Sequence, residues 1–303
     1  MKTAVIGIGS NSVRMLLAEV DGSIGRRMAR DREATRLFAG LGADGRLDPG
    51  AMEKTADAVV RMARSARRQG AEEVLAFATS ATRDAANGEE FTALLHREAA
   101  VELCICSGEE EAALSFLGAT GGGRCGVIDI GGGSTELIVG DGAAIERAVS
   151  CQVGAVRLFR CLSINGPEDL EPVVTAAREV FKETADGFVS GLPERWYGTG
   201  GTFTALGALE RGVHWTDRTD LHGTRITRDA ALAQARRLSA MSVAERLRLD
   251  SLQPGRADIV VHGICILLAC MDFLSLHEIT VSEYGNLDGY LKRTYSLTTL
   301  LSH

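Results

Sequence analysis

Three glycine- and hydroxyl-rich turns, each following an apolar run, are the segments best suited to chemistry. They are GIGSNS at 7–12, DIGGGSTE at 129–136 and GTGGT at 198–202. Glycine lets the backbone turn sharply and approach a ligand, and the exposed amides and hydroxyls of such turns bind phosphate oxygens. None has the spacing of the Walker loop or of the dinucleotide fingerprint. The residues predicted to contact phosphate here are Ser10, Asn11, Ser12, Gly131, Gly132, Gly133, Ser134, Gly200, Gly201 and Thr202.

The second turn also carries two acids, Asp129 and Glu136, which bracket its glycines. If the chain reverses between them, both carboxylates reach the mouth of the turn. Mg²⁺ prefers a few carboxylates together with water and phosphate oxygens, so the pattern predicts a Mg²⁺ site held by these two residues. The alternative is that Glu136 is an exposed strand residue without a ligand.

The first two turns each join two apolar runs, and the two hairpins resemble each other. Residues 5–9 (VIGIG) align with 127–131 (VIDIG), and residues 15–17 (MLL) align with 137–139 (LIV). Similarity at this spacing predicts an internal repeat on the scale of a domain. In that alignment Gly7 takes the position of Asp129.

The remaining pattern alternates strands and helices. Further strands are predicted at 74–80, 102–108, 195–201 and 278–284, with helices at 48–69, 89–100, 109–120, 167–189, 202–209, 228–241, 257–275 and from about residue 286. The GGGR run at 121–124 predicts a domain boundary, which gives domains 1–120 and 121–303, with the last helix packing back on the first domain. Such a sequence favours an α/β fold with an active site in a cleft between the two halves.

Composition narrows the class of protein. The chain of 303 residues has a net charge of −7, which argues against a general nucleic-acid binder but allows a polyanion in a locally basic cleft. Its seven cysteines form no CxxC pair, and several lie in apolar runs, as buried thiols of a cytoplasmic protein do. We find no signal peptide and no run long enough to span a membrane. A homodimer is the base-rate expectation.

Six motifs, in this order, resemble one known family. GSNSVR, ATSATRDAAN, SGEEEA, DIGGGSTE, GTGGTFTAL and PGRADIV are similar to those of the exopolyphosphatase/guanosine pentaphosphate phosphohydrolase (Ppx/GppA) family, in its short two-domain form. The resemblance covers essentially the whole chain. It implies two actin-like (ribonuclease H-like) domains with an interdomain active-site cleft, and hydrolysis of phosphoanhydride bonds in polyphosphate or guanosine pentaphosphate.

The resemblance also implies roles for individual residues. Glu111 falls on the family's catalytic glutamate, whose task is to orient and deprotonate the attacking water. Asp129 and Glu136 fall on positions associated with Mg²⁺ and water activation. Arg83 falls on an arginine near the phosphate, and Arg14 is suited to the same task. The alternatives are a surface salt bridge with Asp84 for Arg83 and a solvent-facing strand position for Arg14. Arg256 is assigned a structural role, at a helix start with Asp258.

One departure from the family pattern concerns the first turn. Related sequences usually have an aspartate where this chain has Gly7, so a carboxylate that could hold metal-bound water is missing. We expect activity to be retained, because Glu111, Asp129 and Glu136 are present. A non-catalytic phosphate- or nucleotide-binding regulator is the second hypothesis, and a sugar kinase on the same fold is the third. Fold by itself does not decide among them.

Overall fold

The computed structural model describes residues 1–217 and 221–301. In this part of the chain the strands are β1 Lys2–Ile8, β2 Val13–Asp21, β3 Ile24–Glu33, β4 Glu73–Ala78, β5 Leu103–Ile105, β6 Arg124–Ile130, β7 Thr135–Asp141, β8 Ala144–Cys151, β9 Trp196–Thr199, β10 Arg225–Thr227, β11 Glu278–Val281 and β12 Thr299–Leu301. The helices are α1 Pro49–Arg68, α2 Ser80–Arg83, α3 Gly88–Ala99, α4 Gly108–Ala119, α5 Ala155–Cys161, α6 Leu170–Ala185, α7 Gly201–Arg211, α8 Arg228–Ser239, α9 Val243–Arg246, α10 Val260–Phe273 and α11 Asn286–Tyr295.

The chain divides into two compact units, each with its own sheet. Unit 1 contains Met1–Gly118 together with the C-terminal residues from Asn286 onward, and unit 2 contains Ala119–Gly285. The sheet of unit 1 has the strand order β12-β3-β2-β1-β4-β5, and that of unit 2 has the order β10-β11-β9-β6-β7-β8. The boundary lies two residues before the division expected from the GGGR run, and α11 belongs to unit 1.

The two sheets repeat one pattern of pairing. In unit 1, β1 is antiparallel to β2 and parallel to β4, while β2 is antiparallel to β3. In unit 2, β6 is antiparallel to β7 and parallel to β9, while β7 is antiparallel to β8. Gly7 lies opposite Arg14, as Asp129 lies opposite Glu136. The registers therefore agree with the alignment that the sequence suggested.

Each unit has its own apolar core. In unit 2 the core surrounds α10, where every residue from Val260 to Met271 is buried. In unit 1 the core includes Val5, Leu16, Phe77 and Leu291, so residues near both ends of the chain pack together. Burial of this apolar surface is the main force that holds each sheet against its helices.

Several elements escaped prediction from the sequence. Strands β3, β8, β10 and β12 and helices α2, α5 and α9 were not expected. The sequence of β3, IGRRMARDRE, carries six charged residues and reads as a polar loop. It becomes a strand because β2 supplies a full ladder of partners, and such tertiary pairing overrides local preference. The three-residue strands β10 and β12 are too short to show a period.

Candidate active site

Two buried carboxylates face one another on the hairpin of unit 2. Asp129 on β6 lies directly opposite Glu136 on β7, and they are 7% and 0% exposed. Residues directly opposite in an antiparallel pair lie on the same face, about 5 Å apart between their Cβ atoms. Ser150 on β8 donates a hydrogen bond of 2.8 Å to Glu136 Oε1. The exposed-strand alternative for Glu136 is therefore wrong, and two adjacent buried acids favour a bound cation.

Helix α5 fixes the glycine turn between these acids. The amide of Ala155 donates to the carbonyl of Gly131 at 3.0 Å, and the amides of Val156 and Arg157 donate to the carbonyl of Gly132 at 2.9 and 3.0 Å. Because a trans peptide points its C=O and the following N–H in opposite directions, the next amides face away from α5. The start of α5 thereby holds the donors of the glycine turn pointing away from this helix.

Helix α5 also holds the carbonyl at the end of the same turn, so the amide that follows it faces away from the helix. Arg157 Nε donates to the carbonyl of Gly133 at 2.8 Å. The amides of Gly132, Gly133 and Ser134 have no acceptor among the described residues. The hydroxyl of Ser134 is also buried without a hydrogen-bond partner among them. Buried donors without partners are costly, so this group of donors is suited to phosphate oxygens.

The third predicted turn lies against the second in unit 2. Gly200 has φ 92° and precedes the first residue of α7. A Cβ built on Gly200 would lie 2.8 Å from Asp129 Oδ1, so only glycine allows this approach. The first amides of α7, at Gly201 and Thr202, have no acceptor within their own helix, and the helix dipole favours an anion there.

Two side chains near this turn lie differently from expectation. A Cβ built on Gly263 of α10 would lie 2.3 Å from Thr202 Oγ1, so the Thr202 hydroxyl packs against α10 and only its amide is available at the start of α7. A Cβ built on Gly201 would lie 1.7 Å from Arg256 Cζ. The Arg256 guanidinium therefore covers the start of α7, a placement that the PGRADIV motif did not suggest.

The first turn, in unit 1, is built like the second. The amide of Gly9 donates to the carbonyl of Ser12 at 3.1 Å, as Gly131 donates to Ser134 at 3.0 Å. The amides of Phe38 and Arg36 donate to the carbonyls of Ser10 and Asn11. The following amides, of Asn11 and Ser12, consequently face away from the segment after β3. This segment anchors the first turn as α5 anchors the second.

Side chains around the first turn come from distant parts of the sequence. The hydroxyls of Ser10 and Ser80 are 2.8 Å apart, which ties the turn to the start of α2. Arg14 Nη2 donates to Asn286 Oδ1 at 3.0 Å. Asn286 is a functional candidate that was missed, because the expected return of the last helix to the first domain does not show which of its residues contacts Arg14.

Arg83 and Glu111 form a second pair in unit 1. Arg83 Nη1 lies 3.1 Å from Glu111 Oε2 and donates to the carbonyl of Cys106 at 3.1 Å. Its Nε is 3.5 Å from Asp84, so the predicted salt bridge is present but is the longer contact. Arg83 Nη2 is buried without a hydrogen-bond partner among the described residues, which leaves a donor beside Glu111.

A capping box at the start of α4 positions Glu111. Ser107 Oγ accepts from the amide of Glu110 at 3.1 Å, and Glu110 Oε2 accepts from the amide of Ser107 at 2.8 Å. Glu110 therefore caps the helix through its side chain, and the neighbouring Glu109 is exposed. Glu111 is 6% exposed and points to Arg83.

Cysteine chemistry takes no part in this arrangement. All seven thiols are free, and five are buried. Burial raises the pKa of Cys106 and of Cys265 to about 12, so neither forms a nucleophilic thiolate near neutral pH.

Within residues 1–217 and 221–301 no three His, Cys, Asp or Glu side chains gather as a metal cluster. In the same ranges no helix combines the length and apolarity needed to cross a bilayer.

The family model of the Ppx/GppA phosphatase family matches residues 16–296. This chain belongs to the Ppx/GppA phosphatase family. Exopolyphosphatase 2 of Mycobacterium tuberculosis is 32% identical over 311 residues, covering 95% of this chain and 97% of that protein. The predicted family is therefore confirmed.

Solved structures confirm the predicted fold class. A crystal structure described as an exopolyphosphatase-like protein is 28% identical, has a TM-score of 0.89 and is covered over 97% of both chains. The Ppx/GppA enzyme of Aquifex aeolicus is 27% identical with a TM-score of 0.79, over 96% of this chain and 98% of that one. The fold of this family member is α/β with two actin-like units.

Proposed function

We propose that this protein is an exopolyphosphatase, which releases terminal orthophosphate from inorganic polyphosphate by metal-assisted attack of water. The observation that carries the proposal is the pair of buried carboxylates, Asp129 and Glu136, beside the amides of Gly132, Gly133 and Ser134, which find no acceptor in the described part of the chain. The relative from M. tuberculosis, which is named an exopolyphosphatase and matches over nearly its full length, supports the same activity.

The chain's own groups suit the steps of this reaction. Amides of the glycine turn and of the start of α7 hold phosphate oxygens, and Arg83 Nη2 supplies a charged donor. Glu111 takes a proton from water as the water oxygen bonds to the terminal phosphorus. The bond from that phosphorus to the bridging oxygen then breaks, and the shortened chain leaves with the electron pair. That Glu111 and the acids of unit 2 act on one phosphate stays a prediction.

Asp129 and Glu136 fit a divalent cation, and we assign them to Mg²⁺. Both are oxygen donors on one face of the hairpin, and both are buried, which suits an ion that keeps several water and phosphate ligands. When bound, Mg²⁺ neutralises the charge that develops on the phosphoryl oxygens. Ser150 orients Glu136 through its 2.8 Å hydrogen bond.

Guanosine pentaphosphate is the alternative substrate, because its terminal phosphate is also held by a phosphoanhydride bond. Measuring phosphate release from polyphosphates of increasing length, with the nucleotide as competitor, separates the two.

We also place the protein in the cytoplasm, a proposal supported by its seven free thiols. A homodimer stays a prediction.

The test of the function is Mg²⁺-dependent phosphate release by the wild type, Glu111→Gln and Glu109→Gln. Glu111→Gln keeps the shape but cannot accept the proton, so its kcat should fall by about 10²–10⁴-fold. Glu109→Gln is the matched control, since Glu109 is exposed two positions earlier on the same helix, and it should retain its rate. Equal rates for all three proteins would contradict the role of Glu111. A wild type that binds polyphosphate but releases no phosphate would favour the regulator.

A further inference from the structure

The two hairpins differ in charge at one pair of opposite positions. In unit 2 the pair is Asp129 and Glu136, and in unit 1 it is Gly7 and Arg14. The first pair consists of two carboxyl groups, and the second consists of a glycine and one guanidinium group. The same fold thus presents acidic side chains in one unit and a basic side chain in the other.

The residue beside this pair on the neighbouring parallel strand also differs between the two units. Asp129 is aligned with Thr199 on β9, whereas Gly7 is aligned with Phe77 on β4. A Cβ built on Gly7 would lie 3.0 Å from Phe77 Cζ and 3.1 Å from Leu287 Cδ2. A side chain at position 7 would therefore be tightly packed, and Phe77 and Leu287 would have to give by a few tenths of an ångström to admit it.

Phe77 is itself held in place by α11. Its ring stacks on Tyr290, with 4.8 Å between centroids and 8° between planes. Phe77 is fully buried in the core of unit 1. The absence of a carboxylate at position 7 thus coincides with close packing of Phe77 and Leu287 around that position.

The glycine has a direct consequence for Arg14. A carboxylate at position 7 would lie opposite Arg14 on the same face, within reach of a cross-strand ion pair. With Gly7 in that position, the described partner of Arg14 is the neutral Asn286 Oδ1 at 3.0 Å. Asn286 orients the guanidinium without cancelling its charge. The charge therefore stays available beside a turn whose Asn11 and Ser12 amides face away from their anchor.

We propose that the first turn of unit 1, together with Arg14, is a subsite that binds a phosphate group of the polyphosphate chain without a metal ion. Gly7 and Phe77 give the turn this property because they leave Arg14 without an opposing carboxylate. The divalent cation then belongs to the hairpin of unit 2. This inference rests on the proposed function for the identity of the anion. It differs from the view of Gly7 as a defect, which predicts that an added aspartate would improve metal binding and activity.

The first test measures binding of tripolyphosphate by calorimetry in the presence of EDTA, so that neither metal nor hydrolysis contributes. We expect the wild type to bind and Arg14→Gln to bind at least tenfold more weakly. Arg26→Gln removes the same charge from an exposed position on β3 and should change the affinity less than twofold. A wild type that binds only with Mg²⁺, or an Arg14→Gln variant with unchanged affinity, would overturn the proposal.

The second test rebuilds the pair of unit 2 in unit 1 with Gly7→Asp and Phe77→Thr together. The introduced carboxylate should pair with Arg14, so metal-free affinity should fall about tenfold, and adding Arg14→Gln should cause no further loss. Gly7→Ala with Phe77→Thr is the neutral control and should keep most of the affinity. If Phe77→Thr prevents folding, Phe77→Leu replaces it, and the Arg14 test stands by itself.

The opposite outcome would favour the defect view. In that case the double variant with aspartate would bind Mg²⁺ more tightly in calorimetry without substrate, release phosphate faster, and keep its metal-free affinity for tripolyphosphate. The subsite and the enzymatic function fail separately. Metal-free binding without phosphate release would refute the function alone, and phosphate release with unchanged binding by Arg14→Gln would refute the subsite alone.

Discussion

Gly200 brings the start of α7 closer to Asp129 than any other residue type would allow. Its φ of 92° and ψ of −176° belong to a region that is essentially restricted to glycine. The 2.8 Å separation between its built Cβ and Asp129 Oδ1 adds a steric limit to the conformational one. At the scale of the residue, the site thus depends on the absence of side-chain atoms as much as on the acids.

Gly200→Ala should therefore reduce both stability and activity. We expect the free energy of unfolding to fall by about 1–3 kcal/mol and kcat to fall at least tenfold, because Asp129 must move. Gly212→Ala is the matched control, since Gly212 also has a positive φ of 64° but no atom within 4 Å of its built Cβ. It should lose stability and keep kcat. Equal kcat for the two variants would show that Gly200 has no role beyond its conformation.

His262 illustrates a residue whose burial affects stability at a distance from the chemistry. It lies in α10, is 2% exposed and has Nε2 2.8 Å from the carbonyl of Leu162. Burial lowers its pKa below the ordinary 6.5.

The sign of the pH effect follows from that lowered pKa. The unfolded chain binds a proton at His262 below about pH 6.5 while the folded chain resists it, so stability is present above 6.5 and falls as pH decreases through this range. His262→Gln keeps a donor for the carbonyl but cannot titrate, so its unfolding free energy should fall less between pH 7 and 5. The exposed His277→Gln serves as the control, and denaturant unfolding at each pH provides the measurement. An unchanged slope for His262→Gln would contradict the assignment.

Helix α5 is the element that converts a flexible glycine turn into a fixed set of donors. A Cβ built on Gly154, just before this helix, would lie 2.4 Å from the carbonyl carbon and oxygen of Gly132. Its φ of −143° is open to any residue, so the requirement for glycine is steric. Position and direction of the turn thus depend on packing against one short helix.

Gly154→Ala should displace the glycine turn without backbone strain at position 154. We expect kcat/KM for polyphosphate to fall at least tenfold, and overpacking to reduce stability by about 1–3 kcal/mol. Gly187→Ala, where no atom lies within 4 Å of the built Cβ, is the control and should behave as the wild type. A Gly154→Ala enzyme with normal kinetics would show that the turn tolerates movement.

At the scale of the whole molecule, the C-terminal segment belongs to unit 1, the unit that also contains the N-terminal strands. Helix α11 and strand β12 belong to unit 1, where Leu291 is fully buried with Val5, Leu16 and Phe77. The core of unit 1 is therefore completed only after the sequence of unit 2 has been made. Chains with two units of this kind need not unfold in a single step.

Leu291→Ala should consequently weaken unit 1 selectively. Removal of a buried leucine costs about 2–5 kcal/mol, so native-state hydrogen exchange of the amides in β1 and β4 should accelerate while exchange in α10 stays constant. Leu247→Ala changes a leucine that is 48% exposed and should leave both rates alone. Equal acceleration in α10 would mean that the two units unfold together.

The sequence by itself determined the parts that depend on local pattern. The motifs identified the family, the similar hairpins predicted the repeat, and the spacing of Asp129 and Glu136 predicted that both lie at one turn. Local chemistry suffices for these conclusions because hairpin register follows from alternation and turn length. The α/β class follows in the same way from the order of strands and helices.

The tertiary structure alone decided which groups face a ligand. That α5 orients the glycine turn, that Asn286 holds Arg14 and that Phe77 fills the space beside Gly7 depend on residues far apart in the sequence. The strand β3 likewise forms because β2 offers hydrogen bonds, although its own residues are mostly charged. Such contacts arise when separate segments pack into one core, and the identity of a packing partner is not encoded in any local period.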